Sequence, residues 1–264
     1  MTTAEQRTPR RQAPAVSAVP FSRLVRVELR KSVASRSGAW LLAVAGLVLV
    51  TLVTVTLLTD DPEGLDLRGF VDVTSAPLSL LLPLLAILAV TTEWTQRTAL
   101  TTFTLEPDRT RVVLAKLVAV LAVGLLAVAV ALATAAVGNV VGAAVRDGSG
   151  AWSFTADDLV ALVLTLVLGL VQAYAFGLLL TNTAAAIVVF FLLTPVWSTV
   201  LSLAGSLQDA APWLDLSIAL EPLTSDGGVS WEQWAQLASA ATLWVLLPLV
   251  LGLVRLLRRE ITPD

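Results

Sequence analysis

The sequence contains no cysteine and no histidine, and only 14% of its 264 residues are charged. Without cysteine it can form neither a disulfide nor a thiolate metal site. Without histidine it lacks the commonest general base and the usual ligand of zinc, haem and copper. Soluble domains are about 25% charged and about 45–50% apolar, whereas 56% of this chain is hydrophobic. These absences exclude most hydrolytic and metal-dependent chemistry, and they argue against a water-soluble enzyme.

The apolar residues are concentrated in six stretches, each about as long as the ~20 residues that a helix needs to cross a bilayer. They cover residues 39–58, 73–92, 112–137, 159–180, 184–204 and 233–254. None has a charged residue near its middle. Lys116, near one end of the third stretch, is expected to extend its ammonium to the membrane surface. Because no alternating strand pattern occurs, the sequence predicts an all-α membrane protein with six transmembrane helices.

Basic residues fall almost entirely on one side of these six spans. Fifteen of the 17 arginines and lysines lie in the N-terminal 38 residues, the 93–116 connection and the C-terminal end. Arg68 and Arg146, in the loops of the other side, are the remaining two. Because loops rich in arginine and lysine stay in the cytoplasm, we expect a multi-pass protein of the plasma (inner, cytoplasmic) membrane with both termini cytoplasmic.

The ends of the chain have a different composition from the six-span region at 38–258. Residues 1–20 are rich in proline and arginine and lack the apolar run of a signal peptide. They are too polar to pack into a core, so we expect a disordered cytoplasmic tail. Residues 259–264 are expected to form a second, short cytoplasmic tail.

Residues 21–37 are predicted to form an amphipathic helix before the first span. At 100° per residue the apolar side chains share one face and the arginines share the other, with Phe21, Leu24, Val25 and Leu29 opposite Arg23, Arg26 and Arg30. Such a helix lies in the membrane interface. Glu28 falls on the apolar side and needs a partner, for which Lys31 is the nearest cation. The alternative is a generic basic flank that only fixes topology.

The 93–116 connection between the second and third spans is short, charged and amphipathic. Glu93 and Arg97 have the spacing of an ion pair on a helix. One stripe of this predicted short helix contains Trp94, Thr98, Thr101 and Leu105. Pro107 is predicted as the first residue of the next helix. A compact helix of this kind suits the docking of a cytosolic partner; the alternative is a hairpin connection that its own charges keep solvated.

These two cytoplasmic segments resemble those of ABC-2-type permeases, the membrane subunits of ATP-binding cassette (ABC) exporters. The resemblance is carried by Glu28-Leu-Arg-Lys31 with Arg36 before the first span, and by Glu93-Trp94, Thr98, Leu105, Pro107, Arg109 and Lys116 after the second. One departure is Arg97, where the family often has glycine. The resemblance implies that residues 21–37, with Glu28, Arg30 and Lys31, are an elbow helix. It also implies that segment 93–111 is a coupling element that rests on the ATPase subunit, with Glu93, Trp94, Arg97, Thr98, Leu105 and Arg109 as candidate contacts.

The resemblance further implies how such a permease would work. ATP and Mg would bind to a separate cytosolic ABC ATPase, because the chain has no Gly-x-x-x-x-Gly-Lys-Ser/Thr loop and neither of its lysines follows a glycine. The permease would dimerise with a second copy or a paralogous permease and export substrate by alternating access. We therefore expect no enzyme activity and no cofactor on this chain, contacts with membrane lipids, and no nucleic-acid partner.

Polar and aromatic side chains at membrane depth are candidates for a translocation path. We single out Gln172, Tyr174, Trp197 and Trp244; the alternative for each is helix–helix packing. Small residues recur every fourth position in the third span, in Ala115/Ala119 and Ala127/Ala131/Ala135, which indicates close helix packing or a dimer seam. The absence of charge at the centre of every span argues against an ion-driven carrier.

The segment before the last span, residues 203–232, is too short and too polar to cross the membrane. We expect it to form interfacial or re-entrant helices that cap the bundle. The last span itself should begin at a capping box, Ser230-Trp-Glu-Gln233, and the fourth span has a similar one in Thr155-Ala-Asp-Asp158.

Two other functions compete with an exporter. An accessory or scaffolding membrane protein would have the same positive-inside bundle without transporting anything. An intramembrane protease would need catalytic residues at depth, and the spans contain neither histidine nor an acidic pair.

Overall fold

The computed structural model describes residues 19–96, 108–225 and 228–258, and none of these residues lies in a strand. The helices are α1 (Phe21–Ala34), α2 (Arg36–Thr59), α3 (Leu67–Thr95), α4 (Arg109–Val145), α5 (Ala156–Leu180), α6 (Thr183–Leu203), α7 (Ala211–Leu214), α8 (Leu216–Leu220) and α9 (Trp231–Arg258). Short 3₁₀ turns occupy Pro62–Gly64, Gly205–Ala210 and Glu221–Thr224.

Helices α2 to α6 and α9 are long and apolar enough to cross a membrane. This confirms the prediction of six helices that can span a membrane, and the chain is a multi-pass membrane protein that is all-helical in its described residues. Most of the helices extend past the predicted apolar stretches. At 37 residues, α4 is about 55 Å long at ~1.5 Å per residue, so it must project well beyond a hydrocarbon layer of ~30 Å.

Side-chain caps define where the spans begin. The two predicted capping boxes are confirmed, with Thr155 and Asp158 at α5 and Ser230 and Gln233 at α9. The predicted first residue of the third helix, Pro107, lies outside the described residues, and the helix begins at Arg109. Asp108 is the N-cap of α4, because its carboxylate accepts hydrogen bonds from two backbone N–H groups of the first turn.

The predicted 21–37 helix is shorter than expected. Helix α1 ends at Ala34, and Ser35 is extended, with φ −66° and ψ 144°. Its hydroxyl accepts a hydrogen bond from Gly38 N at 3.1 Å and so caps α2. Residues 36 and 37 therefore belong to the first span. The Ser35 side chain caps a new helix at this point, so the amphipathic helix does not continue through it.

Hydrogen bonds between distant residues show which helix ends meet. The end of the bundle that carries α1, called the α1 end below, has bonds between Thr183 and Thr91, Arg109 and the Leu256 carbonyl, and Arg255 and the Leu179 carbonyl. The opposite end has bonds from Arg146 to the Leu58 carbonyl and from Leu67 N to the Ala151 carbonyl, and an Arg68–Asp158 ion pair. Successive spans therefore run in alternating directions.

The centre of the bundle is α3, which packs against α2, α4 and α5. Its inner face buries Leu82, Ala86 and Ile87 almost completely. Helix α9 approaches the end of α5 so closely that a Cβ on Gly252 would lie 2.9 Å from the Leu179 nitrogen. This contact requires glycine at position 252.

The small residues of α4 face the interior of this chain. Ala115, Ala119, Ala131 and Ala135 are all buried against neighbouring spans. Close packing within the bundle accounts for these four, whereas Ala127 is only partly buried, and the dimer-seam interpretation stays a prediction.

The segment before the last span forms short helices, as predicted. The 3₁₀ turns at Gly205–Ala210 and Glu221–Thr224 enclose α7 and α8, and both helices contact α9. The spans on either side each contain one π-helical turn, Val189–Leu193 in α6 and Thr242–Leu246 in α9. Such turns leave backbone groups displaced from the regular ladder and recur at functional sites.

Candidate functional site

Four charged side chains from three helices meet at the α1 end. Glu28 accepts hydrogen bonds from Lys31 at 2.7 Å and from Lys116 at 2.5 Å. Glu93 accepts from the same two ammonium groups, at 3.1 Å from Lys31 and 3.2 Å from Lys116. We call these four residues the charge cluster. It contains both lysines of the chain, and its formal charges sum to zero.

Local helix geometry brings the four side chains together. Glu28 and Lys31 are three residues apart on α1, so their side chains lie on one face. Glu93 lies in the last turn of α3, and Lys116 lies about two turns into α4. The cluster therefore joins α1 to the two span ends that border residues 97–107, the connection between α3 and α4.

Lys116, expected to extend to the membrane surface, has its ammonium buried within the protein. It is only 5% exposed, and Glu28 is 6% exposed. An unpaired ammonium would have to reach water, but the Glu28 carboxylate, 88 residues away in sequence, supplies an opposite charge inside the protein. The predicted Glu28–Lys31 pair is confirmed. Lys116 is a second partner of Glu28 and has the larger effect on its pKa.

The two α1 members of the charge cluster are held in their charged forms. Burial alone would raise the pKa of Glu28, but the ammonium groups of Lys116 and Lys31 outweigh it and hold the pKa below its ordinary value. Burial alone would lower the pKa of Lys31, and the carboxylates of Glu28 and Glu93 outweigh it and raise that pKa. Glu28 and Lys31 therefore stay ionised at neutral pH and form a structural link rather than an acid or a base.

Arginines reinforce the α1 end by binding backbone carbonyls. Arg109 donates to the Leu256 carbonyl at 2.8 Å, which ties the start of α4 to the end of α9. Arg111 donates to the Val19 carbonyl at 2.5 Å, ahead of α1. Carbonyls in the last turn of a helix lack intrahelical partners, so cations stabilise them there.

The predicted coupling residues have different positions in the structure. Glu93 is in the charge cluster, Trp94 is half-buried against the main hydrophobic core, and Arg109 binds α9. Arg97, Thr98 and Leu105 lie outside the described residues. Glu93 and Trp94 do not begin a separate helix, because α3 continues through Thr95 without a break.

The predicted elbow residues divide into two groups. Glu28 and Lys31 enter the charge cluster, whereas Arg30 is exposed and takes no part in it. Arg30 instead lines a cavity of about 1040 Å³ between α1 and α3, next to the charge cluster.

The four candidate path residues do not share one surface. Tyr174 is fully buried and donates a hydrogen bond to the Val113 carbonyl at 2.7 Å, which fixes α5 to α4. Gln172 is buried as well, and its amide nitrogen has no hydrogen-bond partner among the described residues. Trp197 and Trp244 both donate to the Leu214 carbonyl, at 3.1 and 2.7 Å, and their rings lie 6.1 Å apart.

Two polar sites were not singled out from the sequence. Asp215 is fully buried, caps α8 through Ser217 N and Ile218 N, and accepts a hydrogen bond from the Ser198 hydroxyl. Asn139 is buried in α4 and donates to the Gly150 and Ala151 carbonyls at 3.4 and 3.3 Å. A signal existed for the first, because Asp215 followed by Leu-Ser-Ile has the form of a helix cap.

Within the ranges that the structure covers, no group of three or more acidic side chains is arranged to hold a metal ion. The charge cluster pairs its two carboxylates with two ammonium groups, so it is a poor metal site. Neither the known protein-family models nor the curated proteins match this chain.

Proposed function

We propose that this chain is the transmembrane permease subunit of an ABC exporter, and that a separate cytosolic ATPase docks at the α1 end. The proposal rests on the ABC-2-like residues around Glu28 and Glu93 and on six spans with a strongly basic side. Under it, α1 is an interfacial elbow helix, both termini are cytoplasmic, and the protein resides in the plasma (inner, cytoplasmic) membrane.

The observation that carries the proposal is the charge cluster. Glu93 ends the span before the 97–107 connection, and Lys116 lies near the start of the span after it. Both bind α1 through Lys31 and Glu28. A push on the connection would therefore move α1, α3 and α4 together, which is what a partner that drives alternating access requires.

ATP and Mg would act on the ATPase, whose closure around nucleotide supplies the motion. A second copy of this chain or a paralogous permease would complete the transporter, and substrate would cross between the two. Gln172, Tyr174, Trp197 and Trp244 remain candidates for the path. Tyr174 is the weakest of the four, because its hydroxyl is already bound to a backbone carbonyl.

Reconstitution tests the proposal most simply. The full chain is placed in liposomes with each candidate ABC ATPase encoded near its gene, and ATP hydrolysis is measured with and without the permease. We expect the permease to stimulate hydrolysis severalfold. We expect Trp94→Ala to remove most of that stimulation, because the indole lies where α3 meets the proposed docking segment.

A matched tryptophan at the opposite end of the bundle serves as the control. Trp234 is 40% exposed and so closer in burial to the half-buried Trp94, and Trp234→Ala should leave the stimulation unchanged. A purified, folded chain that neither binds nor stimulates the neighbouring ATPase would refute the proposal and favour an accessory membrane protein. Equal effects of the two alanine variants would refute docking at the α1 end.

A further inference from the structure

The cavity beside the charge cluster has a volume of about 1040 Å³, which is just above the ~300–1,000 Å³ typical of small-molecule pockets. Its walls are the second half of α1, the start of α2 and the last third of α3. Only Ser35 separates α1 from the first span, so the cavity must lie at the membrane boundary.

The lining of the cavity has an apolar part and a charged part. The apolar part is contributed mainly by Leu85, Leu88 and Ala89 of α3. The charged part consists of Glu28, Arg30, Lys31, Arg36, Glu93 and Lys116. A molecule that fills both parts must therefore have an apolar body and a polar, charged end.

The charged part has an excess of two positive charges. The carboxylates of Glu28 and Glu93 are matched by the ammonium groups of Lys31 and Lys116, which makes the charge cluster neutral. Arg30 and Arg36 line the same cavity, and neither guanidinium has an acidic partner among the residues that the structure describes. The occupant should therefore be an anion.

We propose that this cavity is a binding site for one anionic glycerophospholipid. Its phosphate is held by Arg30 and Arg36, whose guanidinium groups can bind phosphate oxygens in a bidentate manner. Its acyl chain lies against Leu85, Leu88 and Ala89. Basic pockets between membrane helices on the positively charged side favour such headgroups. The inference does not depend on a transport role, because it uses only the cavity and its charges.

A lipid in this position would connect α1 to α3 next to the charge cluster. It would add apolar contact between two helices that otherwise meet mainly through ion pairs at this point. The lipid would then help to hold the proposed elbow helix in place, and the composition of the membrane would affect its stability.

Native mass spectrometry of the full chain tests the site. The protein, released from detergent micelles, is titrated with a phosphatidylglycerol and with a phosphatidylcholine of the same acyl chains. We expect one phosphatidylglycerol to bind preferentially. Arg30→Gln/Arg36→Gln should weaken that lipid about 30-fold, at the usual contribution of a basic residue to anionic-lipid binding, and should leave phosphatidylcholine unaffected.

Blocking the apolar part provides a second, independent variant. Ala89→Phe should fill the cavity and prevent binding of the lipid without removing a charge. Ala129→Phe, the same change at an exposed position of α4 that does not line the cavity, is its control and should bind normally. Loss of binding in the first variant alone supports an acyl chain in this cavity.

Three results would overturn the proposal. The first is equal retention of the two lipids by the wild-type chain. The second is unchanged phosphatidylglycerol binding in both the double arginine variant and Ala89→Phe. The third is displacement of phosphatidylglycerol by soluble glycerol phosphate at comparable concentration, because that would make the site one for a soluble anion.

Discussion

The two ends of the bundle are held together by different chemistry. At the α1 end, buried ion pairs join helices that are distant in sequence, as Glu28 and Lys116 do across 88 residues. At the opposite end the Arg68–Asp158 ion pair is partly exposed and Arg146 bonds to the Leu58 carbonyl. The short helices before the last span are held by neutral donors that converge on backbone, as Trp197 and Trp244 do on the Leu214 carbonyl. Asp215 is the buried acid there, and it bonds to N–H and hydroxyl groups rather than to a cation.

This difference predicts how each end responds to the loss of one interaction partner. Removing one partner of a buried ion pair is strongly destabilising, because the remaining charge is then buried without an opposite charge or water. A shared carbonyl tolerates the loss of one donor, because the other still satisfies it. The α1 end should therefore behave as a rigid unit. The opposite end should lose one hydrogen-bond donor at a small cost in the free energy of unfolding.

The largest expected effect comes from removing the carboxylate at the centre of the charge cluster. Glu28→Gln leaves Lys116 buried with only Glu93, which it must share with Lys31. We expect the free energy of unfolding to fall by about 3 kcal/mol, at the lower end of the cost of breaking a buried pair. Reversible unfolding in mixed detergent micelles measures it.

Arg26→Gln is the matched control for that measurement, since it removes a charge from the same helix at an exposed position outside both the cluster and the cavity. Its effect should stay within about 0.5 kcal/mol. If the two variants lose similar stability, the buried charge cluster is not what distinguishes the α1 end.

At the opposite end, two tryptophans can be removed singly and together. Trp197→Phe or Trp244→Phe should each cost about 1 kcal/mol, because the Leu214 carbonyl keeps one donor. The double variant leaves that carbonyl without either indole, and its cost should exceed the sum of the two. Hydrogen exchange of residues 205–220 and unfolding in the same micelles provide the measurements.

Strict additivity of the two tryptophan variants would contradict the shared-acceptor interpretation. A loss of more than about 3 kcal/mol from either one alone would also contradict it, since the opposite end would then be as intolerant as the α1 end.

The sequence predicts local features of both ends better than distant ones. The six spans, the capping boxes and the Glu28–Lys31 pair all depend on residues within a few positions of one another, where helix geometry fixes the contacts. The Glu28–Lys116 pair depends on how α1 packs against α4, which helix periodicity does not specify. A signal was present, since Glu28 falls on an apolar face and Lys116 falls within an apolar stretch, where a buried charge needs an opposite charge.

The hydrogen bonds of Trp197 and Trp244 to the Leu214 carbonyl are harder to predict from the sequence. Indole donors at 197 and 244 are visible in the sequence, but their acceptor is a backbone group, which every residue has. The start of α4 has a similar ambiguity, because a proline and an aspartate in adjacent positions both favour a helix start, and the carboxylate of Asp108 caps its first turn.

The titration of Glu28 and Lys31 should make the stability of the α1 end depend on pH. The pKa of Glu28 is lowered by Lys116 and Lys31, so its stabilising contribution is complete above the ordinary glutamate value of about 4.3 and is lost as the pH falls through the lowered pKa. The pKa of Lys31 is raised, so its contribution is complete below about 10.4 and is lost as the pH rises through the raised value.

We therefore expect α1 to stay protected from hydrogen exchange, after correction for the intrinsic rate, from about pH 5 to about pH 10. Protection should fall on the acid side in the wild type, and Glu28→Gln should lack that acid limb. An identical acid limb in the variant would show that another group is responsible.

The smallest effect should come from the exposed member of the charge cluster. The Lys31 side chain is 48% exposed, compared with 7% for that of Lys116. Because solvent screens an exposed pair, Lys31→Met should cost less than about 1 kcal/mol in the same unfolding measurement. A loss equal to that of Glu28→Gln would show that burial does not set the energetics at this end.

A double-mutant cycle between Glu28 and Lys116 tests the central claim most directly, namely that their pairing holds α1 to the bundle. The measurement is the free energy of unfolding of the wild type, Glu28→Gln, Lys116→Met and the double variant in the same micelles. We predict a coupling of at least about 1.5 kcal/mol, with the double variant more stable than Glu28→Gln alone, because it leaves no unpaired buried ammonium. Additive losses, with the double variant the least stable of the four, would contradict this prediction.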